Sequence, residues 1–216
     1  MPKLRAHNLS ISLDGYLAGP NQGPEHPLGI GAMPLHEWIF ETDFGRDMMG
    51  EPVTGAGGLD QRYAAAGEVN IGATIMGRNM FGPIRGEWPD YSWTGWWGPN
   101  PPYHHEVFVL THYPRPSLDM EGGTVFHFVD DTPETVLKSA FEAAGGKDVR
   151  LGGGAATVRQ FLRAGLVDEL HLAQVPILLG AGERLFENLG ALPGLECTRM
   201  ESSDRVTHLT FTRVTA

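Results

Sequence analysis

Residues Asp148–Leu162 read DVRLGGGAATVRQFL, and this stretch decides the fold. A short strand, Asp148–Leu151, runs into three glycines, and an amphipathic helix over Ala155–Ala164 begins at once. Without side chains, Gly152, Gly153 and Gly154 let a ligand lie directly against the backbone. The amides of Ala155 and Ala156 open the helix, where free N–H groups and the helix dipole favour a phosphate or pyrophosphate. The run is not a GxGxxG fingerprint, because no matching acidic residue is placed on a following strand. The same glycines also suit a flexible turn that binds nothing.

Working outward, strands alternate with helices on both sides. Upstream, Leu4–Ser12 reads as a strand closed by an Asp14-Gly15 turn, Leu35–Glu41 as a short helix, and Gly45–Gly58 as irregular chain. Leu59–Gly67 is helical in pattern and Val69–Met76 strand-like. Glu106–Thr111 and Thr124–Val129 are further strands, followed by a helix over Asp131–Ala144. Asp131 stands as its N-cap, Glu134 completes a capping box and Pro133 lies in the first turn. Downstream come strands at Leu170–Val175 and Thr207–Val214. This order predicts one domain over residues 1–216: a three-layer α/β/α fold around a central mixed sheet.

Open α/β sheets bind ligands at the carboxyl ends of their strands, and three strand ends carry suitable groups. Beside Gly152–Gly154, the stretch ATIMGRNMF (Ala73–Phe81) brings Gly77, Arg78 and Asn79 to such an end. Arginine offers a planar fork of donors that matches a phosphate, although pairing with a nearby carboxylate is the commoner fate of one arginine. Thr111 and His112 close the strand EVFVLT and fit a phosphate or ribose. Glycines, arginine and Thr-His at three strand ends fit one extended nucleotide better than three accidents do. Asp14, at the end of the first strand, is a candidate to position a polar substrate or relay a proton. Glu41 and Asp43, at the end of the early helix, are candidates to face the same cleft. Each of these three carboxylates also fits an ordinary turn or surface role.

The Gly82–His105 stretch is neither helix nor strand and carries Trp88, Trp93, Trp96 and Trp97 with Tyr91 and Tyr103. A loop this long serves as a lid, a binding loop or an interface, or its tryptophans glue an insertion onto the core.

Bulk properties exclude several classes. The net charge of -10, from 16 basic and 26 acidic residues, repels polyanions and argues against nucleic acid as a partner. Cys197 is the lone cysteine, so no internal disulfide forms. No charged n-region followed by an apolar stretch, and no run of 18 apolar residues, is present, so a cytoplasmic location without membrane contact is expected. The histidines show no HExxH spacing and no serine sits in a GxSxG elbow, so neither a metal site nor a hydrolase triad is expected.

The pieces, in this order, resemble the dihydrofolate reductase-like superfamily, and within it the reductase domain of bacterial riboflavin biosynthesis. The resemblance rests on SISLDGYLAG (Ser10–Gly19), TIMGRNMF (Thr74–Phe81), VFVLTHYPRP (Val107–Pro116) and RLGGGAATVRQFLRAGLVDELHLAQVPILLGAGERLF (Arg150–Phe186). It implies NADPH as cofactor, with Arg78 toward the 2′-phosphate and Thr111 and His112 beside the adenosine phosphate. Gly153, Gly154 and Ala155 would cradle the pyrophosphate with Thr157 just behind, while Leu13 and Asp14 would line the nicotinamide and substrate side. The segment Pro176–Leu178 often contributes to a homodimer in such relatives. Two departures stand out: Met80 replaces a hydroxyl residue usual two positions after the motif arginine, and LHEWIFETDFG is followed by a glycine-rich insertion, so neither Glu41 nor Asp43 equates with the ring-holding carboxylate of true dihydrofolate reductases. The function implied is hydride transfer to a small heterocyclic substrate, pterin-like or ribosylaminopyrimidine-like. The alternative is a nucleotide-binding or sensory protein that keeps the fold without catalysis.

Overall fold

The computed structural model describes residues 1–190 and 194–214. In chain order it contains β1 (Leu4–Ser12), β2 (Tyr16–Ala18), α1 (Glu37–Phe40), α2 (Asp43–Met48) and α3 (Leu59–Ala66). Next come β3 (Ile71–Gly77), α4 (Arg78–Phe81), β4 (Glu106–Leu110), β5 (Leu118–Asp119), β6 (Val125–Val129) and α5 (Pro133–Ala144). The last third holds β7 (Asp148–Gly153), α6 (Ala155–Arg163), β8 (Glu169–Val175), β9 (Glu183–Arg184), β10 (Leu195–Ser202) and β11 (Thr207–Arg213).

The main sheet runs β10-β11-β8-β1-β7-β3-β4-β6-β5. From β8 to β6 every pairing is parallel, whereas β11, β10 and β5 join antiparallel at the edges. Parallel neighbours need crossovers, and α5 and α6 supply them between β6, β7 and β8. The central strands therefore end together, and the ends of β1, β3, β4 and β7 share one edge.

A bulge in β1 sets which residues face which layer. The β1–β8 register shifts between Ala6 and Leu9, with Asn8 at φ 57. The extra residue resets the alternation, so Leu4, Ala6, Leu9 and Ile11 all enter one core while Arg5, His7, Ser10 and Ser12 face the other side. That core is closed by α5 and α6. On α6 the residues Ala155, Val158, Phe161 and Leu162 are buried at helical spacing.

The opposite face has two covers. Toward β8 and β1 lies a cluster built on Leu35, Trp38, Ile39 and Ala64, with Trp38 donating its indole N–H to Ser10 Oγ at 2.8 Å. Toward β3, β4 and β6, Trp88, Trp93 and Trp97 of the 82–105 insertion pack with Phe81, Tyr103, Phe126 and Phe128. Between the covers the sheet is open, and that opening is the cleft described below. Among the described residues no helix is long and apolar enough to cross a membrane.

Three local expectations are corrected. The N-cap of α5 is Thr132, whose hydroxyl accepts from Thr135 N at 3.3 Å, while Asp131 Oδ1 instead accepts from Thr132 N. The stretch from Gly45 is irregular only beyond α2, because Thr42 Oγ1 caps that helix at Gly45 N. β10 was not anticipated: it lies on the sheet edge with almost every residue exposed, so no apolar alternation marks it.

β3 and α6 touch where the site is built. A Cβ on Gly77 would stand 2.2 Å from Thr157 Oγ1. Gly77→Ala is therefore expected to destabilise by about 1–3 kcal/mol in urea unfolding, as overpacking does. Adding Thr157→Ala should restore most of that loss, because only the hydroxyl oxygen lies that close. An equal loss from Gly77→Ala in both backgrounds would deny the contact.

Candidate active site

A cleft of about 1420 Å³ crosses the open face and reaches the carboxyl edge of the sheet. Gly77, Arg78, Asn79, Thr111 and His112 line it at that edge, as do Gly152–Gly154 and Ala155–Thr157. The structure thus brings together the three strand ends singled out in the sequence.

The glycine turn begins as β7 ends. Gly153 holds φ +125, a conformation side chains rarely adopt, and its peptide bond to Gly154 is cis. Gly154 is the N-cap of α6 and supplies no side chain, so the first-turn amides of Ala155, Ala156 and Thr157 have no capping partner. A Cβ built on Gly154 meets nothing within 4 Å. The space above it belongs to the cleft.

Arg78, at the start of α4, is only 9% exposed. Its guanidinium carbon lies 3.8 Å from the Trp88 ring centroid and 5.3 Å from that of Tyr113. Nη1 donates to Thr111 Oγ1 at 3.4 Å, whereas Nε and Nη2 are buried without a partner. Among the described residues no carboxylate lies within ion-pairing distance of Arg78. Burial, and then the charge of Arg85, pull its pKa below the usual arginine value. Arg115 packs on the same indole, 4.6 Å from the ring centroid, and donates from Nη2 to Trp93 O at 2.9 Å. Its Nη1 is likewise buried and unpaired. In a chain of net charge -10, uncompensated cations are gathered at one edge. That is the electrostatic form of an anion site.

Other predicted residues are placed differently. His112 is largely exposed and pairs through Nδ1 with Asp130 Oδ1 at 3.1 Å. Leu13 is 54% exposed, its amide bound to Ile177 O, and it lies outside the cleft lining. Asp14 is saturated with donors: Ser12 Oγ at 2.6 Å, Gly180 N at 2.7 Å and Leu179 N at 3.1 Å. The Ser12 hydroxyl above all, with those amides, lowers its pKa to about 2. The bonds from Leu179 N and Gly180 N tie the turn after β1 to the chain after β8. Glu41 turns away to an ion pair with Arg205, and Asp43 accepts from Thr54 N and Oγ1. Neither lines the cleft.

The sequence reading missed the groups on the cleft floor. His7 binds Glu169 Oε1 at 2.5 Å, and that bond, with neighbouring cations, lowers Glu169 to about 2. Asn8 donates from Nδ2 to Ala64 O, while its Oδ1 is buried and unpaired. Behind the floor runs a directed chain. Asn8 N donates to His171 Nδ1, which leaves His171 Nε2–H to donate to His208 Nδ1 at 3.0 Å. His208 Nε2–H then donates to Asp60 Oδ1 at 2.9 Å. This order fixes both rings as neutral tautomers, stacked on Tyr63. Only the bulge brings Asn8 into this chain, and a bulge leaves no mark in a sequence.

Comparison with known proteins follows the same lines. Residues 3–209 match the RibD C-terminal domain family, and the chain belongs to it. A protein of Shewanella sp. PV-4 ascribed to riboflavin biosynthesis superposes with TM-score 0.62 at 21% identity, covering 100% of both chains. A deaminase/5-amino-6-(5-phosphoribosylamino)uracil reductase of Thermotoga maritima gives TM-score 0.54 at 13% identity, over 99% of this chain and 57% of that one. These likenesses establish the dihydrofolate reductase-like fold. YyaP, an uncharacterized protein of Bacillus subtilis (strain 168), is 49% identical over 93 residues, 40% of this chain and 48% of its own length. Family and fold together support a reductase function in general.

Burial lowers His36 and His105 to about 4 and His171 to about 3, so all three stay neutral in the fold. Unfolded histidines titrate near ~6.5, so below that pH the unfolded state binds more protons. Stability is therefore full above about pH 6.5 and is lost as pH falls toward about 4. Urea midpoints measured from pH 7.5 to pH 4.5 should hold level to about pH 6.5 and drop steadily below it. A midpoint that stays level down to pH 5 would show that these rings are not held neutral.

Proposed function

We propose that the chain is an NADPH-dependent reductase that delivers hydride to a small heterocyclic substrate. One observation carries the reading: Arg78 is buried beside the glycine cradle with Nε and Nη2 unpaired and no carboxylate partner. Burying a guanidinium in this way costs several kcal/mol unless an anion completes it. The groups present fit the cofactor. Arg78 and Thr111, with His112 at the rim, would hold its 2′-phosphate. The open space over Gly154 and the free amides of Ala155 and Ala156 would take the pyrophosphate, flanked by Gly77, Asn79 and Thr157.

When bound, the reduced nicotinamide supplies the hydride. The protein's own part is to orient the two rings side by side and keep water out. Gly152–Gly154 set the depth at which a nucleotide can lie, and Met80 stands close over Gly152. The insertion walls the cleft with Trp96 and Trp97. The pyrimidine-type ring in the names of the structural relatives supports a flat heterocycle as the reduced partner. The segment Pro176–Leu178, with Leu178 73% exposed, is the surface a second copy would cover in the homodimer implied by the family resemblance.

One observation favours a second reading, a nucleotide-binding protein without turnover. The two carboxylates proposed for catalysis, Asp14 and Glu41, are engaged elsewhere. NADPH that binds but is not oxidised with any pterin or pyrimidinone would support it.

The test is a fluorescence titration of NADPH and NADH. Arg78→Ala should weaken NADPH by about 10–100-fold, the worth of a charge-assisted contact, and change NADH by less than about 3-fold. Equal losses would remove the 2′-phosphate assignment. Gly154→Val should abolish binding of both nucleotides with the urea midpoint retained, since its Cβ enters open space. Unchanged binding would make the run a turn only.

A further inference from the structure

The sheet edge that carries Arg78 also carries a carboxylate. Strands β3, β4 and β6 are neighbours, and Gly77 pairs with Leu110 while Leu110 pairs with Val129. The residues that follow, Arg78, Thr111 and Asp130, therefore stand in one row across three strand ends. Neighbouring strands lie about 4.8 Å apart, which puts the Asp130 backbone beside that of Thr111 and roughly 10 Å from that of Arg78. All three residues line the cleft. Thr111 N donates to Val129 O at 2.9 Å and ties the middle of the row to its far end.

Thr111 Oγ1 accepts from Arg78 Nη1, and the next residue, His112, bonds through Nδ1 to Asp130 Oδ1 at 3.1 Å. A carboxylate only accepts, so Nδ1 carries the hydrogen of that bond. Neutral His112 is then left with a bare lone pair at Nε2. Such a nitrogen accepts from a hydroxyl and opposes a phosphate oxygen. A proton added to the ring reverses both effects: Nε2 becomes a donor, and the pair loses its net negative charge.

Both side chains are open to a ligand, with His112 90% and Asp130 51% exposed. The charged and titratable groups on the elements around them are Arg78 at the head of α4, Tyr113 and Arg115 after β4, and Asp131 and Glu134 at the start of α5. Arg85 and Tyr91 belong to the insertion. Asp131 turns its Oδ1 to Thr132 N. Of these residue types, histidine is the one that ordinarily changes charge between pH 5 and 8.

We infer that Asp130 sets the choice between NADPH and NADH, by its own charge and by holding His112 as an acceptor. It disfavours the 2′-phosphate, favours a bare 2′-hydroxyl, and gives way to the phosphate when His112 takes up a proton. A 2′-phosphate on Arg78 and Thr111 would stand within about a Debye length of this carboxylate. Arg78 and Asp130 thus act in opposite directions from the two ends of one row. The inference rests on the reading that a nicotinamide nucleotide occupies this edge, and adds what determines which nucleotide.

The test compares Kd for NADPH and NADH, by nucleotide fluorescence at pH 8 and pH 6, in the wild-type chain, Asp130→Asn, Asp131→Asn and His112→Gln. At pH 8, Asp130→Asn should raise the preference for NADPH by about 5–10-fold. Asp131→Asn should change it by less than about 2-fold. Going from pH 8 to pH 6 should shift the wild-type preference toward NADPH by at least about 3-fold more than it shifts that of His112→Gln. The phosphate's own titration is common to both proteins and cancels in that comparison. Equal gains from the two aspartate variants, an unchanged preference in Asp130→Asn, or the same pH shift with and without His112 each overturns the inference while nucleotide binding stands. Binding of neither nucleotide to the wild-type chain removes the reductase reading and this inference with it.

Discussion

Arg78 lies against the face of Trp88, 3.8 Å from the ring centroid, with two of its nitrogens buried and unbonded. A cation stacked on an indole gains about 0.5–2 kcal/mol, far less than an ion pair must supply to offset burial. The surrounding structure holds the arrangement in place. Trp88 is fixed by its N–H to Tyr113 O at 2.6 Å and by edge contacts with Phe81 and Phe128. Arg115 packs on the same ring and reaches Trp93 O. The tryptophan-rich insertion thus builds a π wall that holds the Arg78 guanidinium at the sheet edge.

The rest of the site follows from the sheet. Parallel strands joined by helices bring the ends of β3, β4 and β7 together, so Arg78, Thr111 and the glycine turn share an edge though more than 70 residues of chain separate the first from the last. The bulge in β1 then divides labour between faces. Leu9 and Ile11 go to the core, while His7, Asn8 and Ser10 floor the cleft. Two neutral histidines and Asp60 lock the floor from behind through directed hydrogen bonds. The outcome is a cleft with Arg78 at the carboxyl edge and apolar residues such as Ile39, Phe40 and Phe44 along the wall under the α1–α3 cover.

Much of this was legible in the sequence. The run DVRLGGGAATVRQFL states strand, turn and helix within fifteen residues, and its glycines mark where a ligand can approach. Arg78, Thr111 and His112 were found because strand ends are readable from local pattern. What failed was anything that depends on long-range partners. Asp14 reads equally as a turn or a relay until Leu179 and Gly180 are seen to donate to it. Glu41 sits near the cleft in sequence, yet Arg205, 164 residues away, draws it off. Arg115 carries no local cue that separates it from a surface arginine, and Asn8 becomes a floor residue only through a bulge. β10 escaped because a solvent-exposed edge strand has no apolar period to read.

The central claim is that the glycine turn, Arg78 and Thr111 form a single nucleotide site. Amide hydrogen exchange with and without NADPH tests it most directly. The account predicts protection at residues 152–157 and 111–113 and around Arg78, because free first-turn amides gain a phosphate partner there. The histidine-backed strands β8 and β11 should be unchanged. Protection absent from the glycine turn, or confined to the opposite edge of the sheet, would contradict it.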